Sequence, residues 1–470
     1  MSFAAGSRTE STPACCWREY PGFPDLARLH AAAPQRYPHL LESVAHGPPQ
    51  ARYDILPAFP GRSIRLTASG QLEGGTGPGD DDFLATLDAA WRAERIAPAD
   101  HLPFPFHGGW FLYLGYELAA FLEPSLRSLP RDETWPVALA QRFPAAVIRD
   151  HARQKTFVVC EPGQESQLTE MEHDLDALGI RDIDTRLPAV NAVDEEEPAA
   201  HRARIARILD YIRAGDTFQV NLSRRWYIEF AAAPPPVALY ARLRRTNPAP
   251  FAALVTLDAR RAIVSSSPER LVCARAGRVH TRPIAGTFAR SADPDEDAAR
   301  RQRLVGNPKE RAEHIMLVDL ERNDLGRVCV PGSIRADELL TVESYRHVHH
   351  IVSNVTGRLQ PGVTPGAIIR AVFPGGTITG CPKLRTMEII AELEAAPRRG
   401  YTGSVGYLNR DGSLDLNILI RSFMLDGAAA ELRAGGGIVA DSDPQRELEE
   451  TRAKARGLLA VFGHEDSAAC

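Results

Sequence analysis

Strand-like runs and helical patterns both occur along the chain, and together they predict an α/β fold of the α+β or layered type. The chain has 470 residues, 44% of them hydrophobic and 24% charged, which is enough for a large core. Pro and Gly interrupt the apolar runs often, so we expect many short strands. Apolar residues at helical spacing predict separated helices, and the sequence has no internal repeat.

Strand and helix candidates lie in both halves of the chain. Residues rich in β-branched and apolar side chains predict strands over 53–58, 109–116, 145–149, 217–222, 252–256, 262–265 and 270–274. Ile205 and Ile208 belong to a helical pattern that ends at Gly215. Two longer helices are predicted to begin near Pro308 and near Pro444.

Changes in composition divide the chain into three predicted ranges. Residues 1–160 form an N-terminal region, residues 161–198 a polar linker or surface excursion, and residues 199–460 the region that carries the motifs. The polar range ends in three consecutive glutamates before Pro198, which favours exposure to solvent. Because strand candidates occur on both sides of it, this range need not separate two independent domains.

Composition and charge exclude several classes of function. The net charge of -5 and the pI near 6.3 favour neither nucleic acid nor an anionic membrane as a partner. No apolar run is long enough to span a membrane, and residues 1–17 lack the apolar core of a signal peptide. The cysteines have no metal-ligand spacing, so we expect reduced thiols in a cytoplasmic protein, with Cys15 and Cys16 exposed.

Two of the predicted helices carry acids on one face. A proline after Asn307 and after Asp443 is typical of a helix start. Acids three residues apart then lie on one face of each helix: Glu310 and Glu313 in the first, Glu447 and Glu450 in the second. Such acids often lie in solvent and favour the helix dipole. In the alternative interpretation the two faces meet and hold Mg²⁺, which takes one or two carboxylates and keeps several waters.

Two glycine-rich segments occur near these helices. Residues 373–383 contain Gly375, Gly376 and Thr377, and residues 434–442 contain Gly435, Gly436 and Gly437. Glycine lets the backbone approach a ligand closely and point its amides at an anion. Taken alone, each segment is explained equally well by a tight turn.

A further motif combines a stiff turn with a hydroxyl: Arg282-Pro283-Ile284-Ala285-Gly286-Thr287. Together with the glycine-rich segments and the acidic helices, it resembles the chorismate-using enzymes, which include anthranilate synthase, aminodeoxychorismate synthase and isochorismate synthase. The resemblance is strong over residues 200–460 and weak before them, where residues 40–43 resemble a tryptophan-binding segment. It implies a large sandwich of two packed, mainly antiparallel sheets with helices outside.

The resemblance also implies a Mg²⁺ site that binds the ring carboxylate of chorismate. Glu313 and Glu450 would be direct ligands, and Glu310 and Glu447 would support the ion through water. Lys454, on the same helical face as Glu450, would neutralise the acidic cluster or the substrate.

The second carboxylate of chorismate needs its own partners. The resemblance assigns it to Tyr401 and Arg421, the latter through a two-pronged hydrogen bond. In the alternative, Arg421 only ends the apolar run 416–420 in solvent. The glycine-rich segments would line the substrate through Gly376, Thr377, Gly435, Gly436 and Gly437.

The reaction must expel a ring hydroxyl, which leaves readily only when it is protonated. Glu269 follows Ser267 and Pro268 as the general acid of the family does, and burial would raise the pKa of such a carboxyl. The alternative for Glu269 is a surface ion pair with Arg270. The resemblance adds Thr287 and His350 to the site. His347, His349 and His350 also raise a zinc alternative, but two histidines on one strand face without a third ligand make a poor zinc site.

Two residues indicate that the nucleophile is ammonia. Family members that add water carry lysine at the position of Gln219, and glutamine cannot deprotonate water. A lysine at the position of Ala285 can form a covalent adduct, which alanine cannot. We therefore expect amination through a non-covalent intermediate, with ammonia from a separate glutamine amidotransferase subunit.

Two aminations remain as alternatives. Ala285 and residues 40–43 favour anthranilate formation with loss of pyruvate. Residues 219–221 and the glycine-rich segments favour aminodeoxychorismate, the precursor of 4-aminobenzoate and folate, and we expect this product. A catalytically inactive relative that binds chorismate or tryptophan is a third alternative, which the intact Glu269 and Glu313 oppose.

Overall fold

The structure of the protein is a computed structural model that describes residues 9–45, 51–75, 82–179, 182–291, 293–344 and 348–463. Its strands are short and numerous. They are β1 Glu10–Ser11, β2 Cys16–Tyr20, β3 His39–Glu42, β4 Tyr53–Ala58, β5 Ser63–Leu66, β6 Leu72–Glu73, β7 Gly109–Leu114, β8 Ala138–Phe143, β9 Ala145–Asp150, β10 Lys155–Cys160, β11 Val190–Glu195, β12 Gln219–Phe230, β13 Phe251–Thr256, β14 Arg261–Ser267, β15 Arg270–Arg275, β16 Arg278–Thr281, β17 Ile284–Ala289, β18 Arg335–Ser344, β19 Val348–Arg358, β20 Gly380–Cys381, β21 Ser404–Asn409, β22 Leu414–Asn417, β23 Ser422–Asp426 and β24 Ala429–Ile438.

The α-helices lie between groups of strands rather than after every strand. They are α1 Leu26–Ala32, α2 Phe83–Ala93, α3 Ala119–Leu122, α4 Ser166–Asp176, α5 Pro198–Arg213, α6 Pro236–Thr246, α7 Pro294–Gly306, α8 Pro308–Gly326, α9 Pro365–Val372, α10 Lys383–Glu394 and α11 Pro444–Leu459. Asp443 caps α11 by accepting hydrogen bonds from the backbone amides of Gln445 and Arg446. The helices predicted near Pro308 and Pro444 are therefore confirmed.

The strands form two large antiparallel sheets. In the first, the order is β1-β2-β10-β9-β4-β3-β13-β14-β23-β24-β12-β11, and β20 pairs with β12. In the second, the order is β17-β19-β16-β15-β22-β21-β7-β8-β5-β6, and β18 pairs with β19. In each sheet a block of strands from the first 160 residues pairs edge to edge with a block from the rest of the chain, through β3 and β13 in the first sheet and through β7 and β21 in the second. Neither half therefore forms a sheet of its own.

Side chains alternate between an inner core and two outer cores. Phe111 and Tyr113 of β7 pack in the inner core with Ile148 of β9 and Val255 of β13, which join the two sheets. The intervening Leu112 packs with α2, α8 and α9 on the outside of the second sheet. An equivalent outer core covers the first sheet with α1, α4, α6 and α11. This period-two alternation produces the expected sandwich with helices outside, and the predicted fold class is confirmed.

The range predicted as a polar linker, residues 161–198, contains α4 and the edge strand β11. Leu168, Met171 and Leu175 form one buried stripe of α4. The polar composition of the range belongs to the outer face of this helix and to the segment around β11. No helix within the described ranges has the length and apolarity that crossing a membrane requires.

The expectation that Cys15 and Cys16 are exposed is wrong. Their relative exposures are 0% and 5%, because they lie at the start of β2 with one side chain in the inner core and the other in an outer core. Burial raises the pKa of the Cys15 thiol to about 12. Both cysteines are free thiols.

Candidate active site

The Pro283–Thr287 motif enters β17, which pairs with β19 at one end of the second sheet. In this register Ala285 lies opposite Ile351 and Thr287 lies opposite His350, with a bulge between the two pairs. Gly286 occupies the bulge at a φ of 77°, which L side chains rarely adopt. The motif and the predicted histidine are therefore neighbours, although Thr287 and His350 are 63 positions apart in sequence.

His350 is buried, with a relative exposure of 4%. Burial is the main cause that lowers its pKa to about 4, and the positive charges of Arg421 and Lys454 act in the same direction. Its imidazole is therefore neutral at neutral pH. The charge interaction also shows that Arg421, after β22, and Lys454, on α11, both lie near β19.

Glu269 lies between β14 and β15 and is 4% exposed. Burial raises its pKa to about 8, the nearby Thr377 hydroxyl lowers it, and the negative charge of Glu321 raises it further. This carboxyl therefore holds its proton at neutral pH, as a general acid must. Arg270 pairs instead with Asp415 at 2.8 Å, so the alternative of a surface ion pair between Glu269 and Arg270 is wrong.

Glu321 is a buried carboxyl that the sequence interpretation missed. It lies on α8 with a relative exposure of 4%, and burial followed by the charge of Asp324 raises its pKa to about 7. A Cβ added to Gly376 would lie 3.2 Å from its Oε1. The periodicity that relates Glu310 to Glu313 continues through Leu317 to Glu321, so helical spacing alone was a usable signal.

The first acidic helix, α8, packs against β17 and β19. A Cβ added to Gly286 would lie 2.8 Å from Oε2 of Glu310, so this carboxylate reaches the turn of the Pro283–Thr287 motif. Glu313 follows one turn later on the same helix. Its neighbour His314 is buried with Nε2 2.6 Å from the Ser353 hydroxyl, which ties α8 to β19.

The first glycine-rich segment forms a short 3-10 turn, Gly376–Ile378, that contacts both α8 and β24. Asn221 of β12 donates a hydrogen bond from Nδ2 to the Thr377 carbonyl at 3.2 Å. Because the Thr377 side chain lies beside Glu269, the turn joins the buried acid to β12.

The second glycine-rich segment is the end of β24, and each of its glycines faces a different group. A Cβ on Gly435 would lie 2.9 Å from the Tyr401 hydroxyl, and one on Gly437 would lie 2.0 Å from Nε2 of Gln219. A Cβ on Gly436 would lie 3.4 Å from Glu447 and 3.6 Å from Glu450. Because these three glycines have no side chains, Tyr401, Gln219 and the acids of α11 can all approach β24.

The second acidic helix, α11, turns its acids and a lysine towards β24. Lys454 donates from Nζ to the Gly435 carbonyl at 2.9 Å and pairs with Glu450 at 2.6 Å. The Ser442 hydroxyl donates to Glu447 at 2.6 Å. The Glu450 side chain is 52% exposed, so this acidic face is open to solvent.

Tyr401 and Arg421 are near each other, as predicted for a carboxylate site. Tyr401 is 4% exposed, and Arg421 is partly buried and lies close enough for its charge to affect both Tyr401 and His350. Arg421 adopts a φ of 54° directly after the apolar run, so it turns into the site region. The alternative in which it ends a strand in open solvent is wrong.

A buried ion-pair network, also missed from sequence, lies behind Tyr401. Arg398 donates from Nη2 to the Asn221 carbonyl at 2.8 Å and from Nη1 to the Ile378 carbonyl at 3.3 Å. It also binds Glu394, which accepts a hydrogen bond from Arg433 as well. Arg398 therefore joins β12, the 3-10 turn and α10 in one buried contact, for which the sequence offers no periodic signal.

The four acids predicted to hold Mg²⁺ reach the site region from two sides: Glu310 and Glu313 on α8, Glu447 and Glu450 on α11. Their carboxylate oxygens are the ligands that Mg²⁺ prefers. Across the described ranges, however, no three His, Cys, Asp or Glu side chains meet as a ready metal site. The donor chemistry fits the ion, and the Mg²⁺ site stays a prediction.

The zinc alternative involves His347, which lies outside the described residues. His349 is engaged elsewhere, because its ring nitrogens contact Ser344 at 2.7 Å and Asp297 at 3.0 Å. The next residue in the sequence, His350, instead faces the backbone of Gly286.

A separate cavity of about 240 Å³ lies between the sheets, and none of the residues predicted to bind chorismate or Mg²⁺ lines it. Leu41, Glu42 and Ser43 line it together with Tyr53, Phe251 and Tyr407. Arg270 also lines it, directly after Glu269 in sequence. Strand β15 therefore lines the cavity and begins directly after the buried acid Glu269.

Comparison with known proteins identifies the class. The family model described as chorismate binding enzyme matches residues 50–460. An anthranilate synthase component I-like protein of Synechocystis is 42% identical over 77% of this chain and 74% of its own length. Aminodeoxychorismate synthase component 1 of Klebsiella aerogenes is 36% identical over 93% of this chain and 97% of its own length.

A solved structure supports the same assignment. Anthranilate synthase component I from Streptococcus pneumoniae superposes with a TM-score of 0.76 and 32% identity, covering 88% of this chain and 93% of that chain. The chain belongs to the chorismate-binding enzyme family. Its relatives are named for two different activities, anthranilate synthesis and aminodeoxychorismate synthesis. The comparisons therefore establish the family but do not identify the reaction product.

Proposed function

We propose that this protein is aminodeoxychorismate synthase component I, which converts chorismate and ammonia to 4-amino-4-deoxychorismate. The observation that supports an amination is the position of the Gln219–Asn221 segment against the turn of Thr377, beside the buried Glu269. The resemblance of residues 219–221 to aminodeoxychorismate synthase favours this product over anthranilate. A protonated acid and neutral amides suit a reaction in which a hydroxyl leaves as water and an amine enters.

The chain's own residues supply the proton and the orientation. Glu269 donates its proton to the para hydroxyl as the first ammonia adds beside the ring carboxylate, and water leaves. A second ammonia then attacks the para carbon and displaces the first, which leaves the pyruvyl ether intact. Tyr401 and Arg421 orient the enolpyruvyl carboxylate. Ala285 offers no nucleophile, so the intermediate is non-covalent.

Mg²⁺ would neutralise the ring carboxylate when bound. Glu313 and Glu450 would hold it directly, and Glu310 and Glu447 would hold its waters. Lys454, which is already paired with Glu450, would limit the negative charge of this cluster.

The alternative is anthranilate synthase component I. Ala285 favours it, and so does the cavity lined by Leu41, Glu42 and Ser43, since residues 40–43 resemble a tryptophan-binding segment. We propose that tryptophan binds in this cavity whichever of the two reactions the protein catalyses. Titration of tryptophan should then raise the melting temperature of the wild type, and Tyr407→Ala should abolish the shift.

Mass analysis of the product separates the two activities. The purified chain is incubated with chorismate, Mg²⁺ and ammonium chloride. We expect a product that yields 4-aminobenzoate only after a lyase is added. An anthranilate mass, formed without the lyase, would overturn the main proposal.

We also propose a separate glutamine amidotransferase subunit as the source of ammonia. The chain with glutamine in place of ammonium should form no aminated product until such a subunit is added. Glutamine hydrolysis by the purified chain alone would contradict this.

A further inference from the structure

Two buried amide oxygens on β12 have no hydrogen-bond partner among the described residues: Oε1 of Gln219 and Oδ1 of Asn221. The two residues are 5% and 9% exposed. An unpaired buried acceptor destabilises a fold, so most are satisfied in native proteins. Two such acceptors two positions apart on one strand therefore require an explanation.

Both amides lie on the same face of β12. Side chains two apart point to the same side of a strand, and the intervening Val220 packs on the other side in an apolar cluster with α5 and α10. Asn221 lies opposite Gly437 of β24, and the Gln219 side chain packs over that same glycine. Both side-chain amides therefore lie next to Gly437, which has no side chain to separate them.

The orientation of the Asn221 amide is determined by its contacts. Its Nδ2 donates to the Thr377 carbonyl, so Oδ1 is directed away from that bond. The Asn221 backbone is also held in place. Its backbone N–H donates to the Thr379 carbonyl at 2.8 Å, and its backbone carbonyl accepts a hydrogen bond from Arg398. Oδ1 is thus a fixed acceptor rather than one that rotates to find a partner.

We infer that the side-chain oxygens of Gln219 and Asn221 form the binding site of the attacking ammonia. This inference rests on the proposed amination and names Asn221 as a residue that selects the nucleophile. Ammonia has three N–H donors and one lone pair. When two N–H groups bind the two oxygens, the lone pair remains available for the ring carbon.

The same arrangement favours the transition state. As the C–N bond forms from the lone pair and the C–O bond of the hydroxyl breaks, the nitrogen gains positive charge. Its N–H groups then donate charge-assisted hydrogen bonds, which are stronger than those of neutral ammonia. The proton that leaves the nitrogen goes to solvent or to a second ammonia, since neutral amide oxygens are acceptors and not bases. Water can donate two hydrogen bonds to the same oxygens, but it stays a weak nucleophile here because neither amide can take its proton.

The test uses Gln219→Met and Asn221→Leu, which replace the side-chain amides by apolar groups at nearly constant volume. Asn221→Leu also removes the hydrogen bond to the Thr377 carbonyl, so chorismate binding serves to detect any displacement of that turn. Amination by the full chain is measured at saturating chorismate and Mg²⁺ with ammonium chloride varied, and chorismate binding is measured separately by calorimetry. Each variant should raise the KM for ammonia about tenfold, the loss of roughly one hydrogen bond, and should change the chorismate Kd less than twofold. Tyr227→Phe, on the same strand face but 48% exposed, is the matched control and should change neither constant.

The outcomes separate this inference from the proposed function. An unchanged KM for ammonia in both variants would overturn the ammonia site while amination stands. An equal loss of chorismate affinity would also overturn it, because the amides would then hold the fold or the substrate. Either variant suffices, so failure of one to fold leaves the other to decide. A wild-type chain that consumes no ammonia would overturn both.

Discussion

The carboxylates around Glu269 and those on α11 have opposite environments, although the sequence assigns both groups to one predicted site. Glu269 and Glu321 are each 4% exposed, and burial raises their pKa values to about 8 and about 7. Glu450 is half exposed and paired with Lys454. At neutral pH Glu269 keeps its proton and Glu321 is about half protonated, whereas Glu450 keeps contact with water and with a lysine.

This difference divides the chemistry between the two regions. A buried carboxyl favours its neutral form because its charge would lose the solvation of water, which makes it a proton donor. A carboxylate that keeps contact with water and a lysine remains charged, which suits it to a cation. We therefore propose that proton transfer occurs at Glu269, next to β15 and α8, and that the faces of α8 and α11 that carry the paired acids bind the cation.

The largest expected effect tests the proton-donating region. Glu269→Gln keeps the shape of the side chain and removes the proton, so turnover should fall by about 10²–10⁴-fold. Chorismate binding, measured by calorimetry, should change little. Glu449→Gln on α11 is the control, because this exposed carboxylate accepts a hydrogen bond from the Gln445 side chain and interacts with the charge of Arg452, both on the surface of α11. Full activity of Glu269→Gln would place the proton donor elsewhere.

The next effect tests the charge-holding region. Glu447→Gln should weaken Mg²⁺ binding about 10–100-fold, which is the usual effect of losing a group that holds the ligands or waters of a metal ion. Glu450→Gln removes a proposed direct ligand and should weaken Mg²⁺ binding at least as much. Calorimetric titration of Mg²⁺ in the presence of chorismate measures this without turnover when each change is combined with Glu269→Gln. If Mg²⁺ affinity is unchanged in both, α11 does not hold the ion.

The pH dependence of stability should separate the two regions further. Below about pH 4.5 both folded and unfolded chains hold the Glu269 and Glu321 protons, so this contribution to stability is fully present. Between that pH and about 7–8 only the folded chain holds them, and the free energy of unfolding should fall by up to about 1.4 kcal/mol per pH unit for each carboxyl. Urea unfolding of wild type and Glu269→Gln measures the slope, which the substitution should reduce. An identical slope in both proteins would mean that Glu269 is ionised in the fold.

The smallest effect concerns an exposed ion pair on α11. Arg452 binds Glu195 of β11, with side-chain exposures of 44% and 30%. Surface pairs of this kind contribute about 0–1 kcal/mol, so Arg452→Ala should change the free energy of unfolding by less than about 1 kcal/mol. A larger loss would show that β11 depends on α11 for its place at the sheet edge.

Much of the fold was predictable because its signals are local. Proline after Asp443 and acids at Glu447 and Glu450 predicted the start and the face of α11, and the structure has both. The burial of Cys15 was not predictable, because it depends on strands from residues far along the chain. Glu321 was missed for the same reason: its helical position was visible, but the enclosure that raises its pKa comes from Gly376 and Asp324.

By itself, the sequence determined which chemical groups the protein has and how they are spaced: a glutamate after a proline, paired acids on two helices, glycines in two segments, and alanine and glutamine where other family members carry lysine. These are properties of side chains and of local periodicity. Only the tertiary structure decided which carboxyls keep a proton, and which amide oxygens lack a partner. Ionisation and hydrogen bonding depend on what surrounds a group, and here β12, β15, α8 and the Gly376–Ile378 turn supply those surroundings from distant parts of the chain.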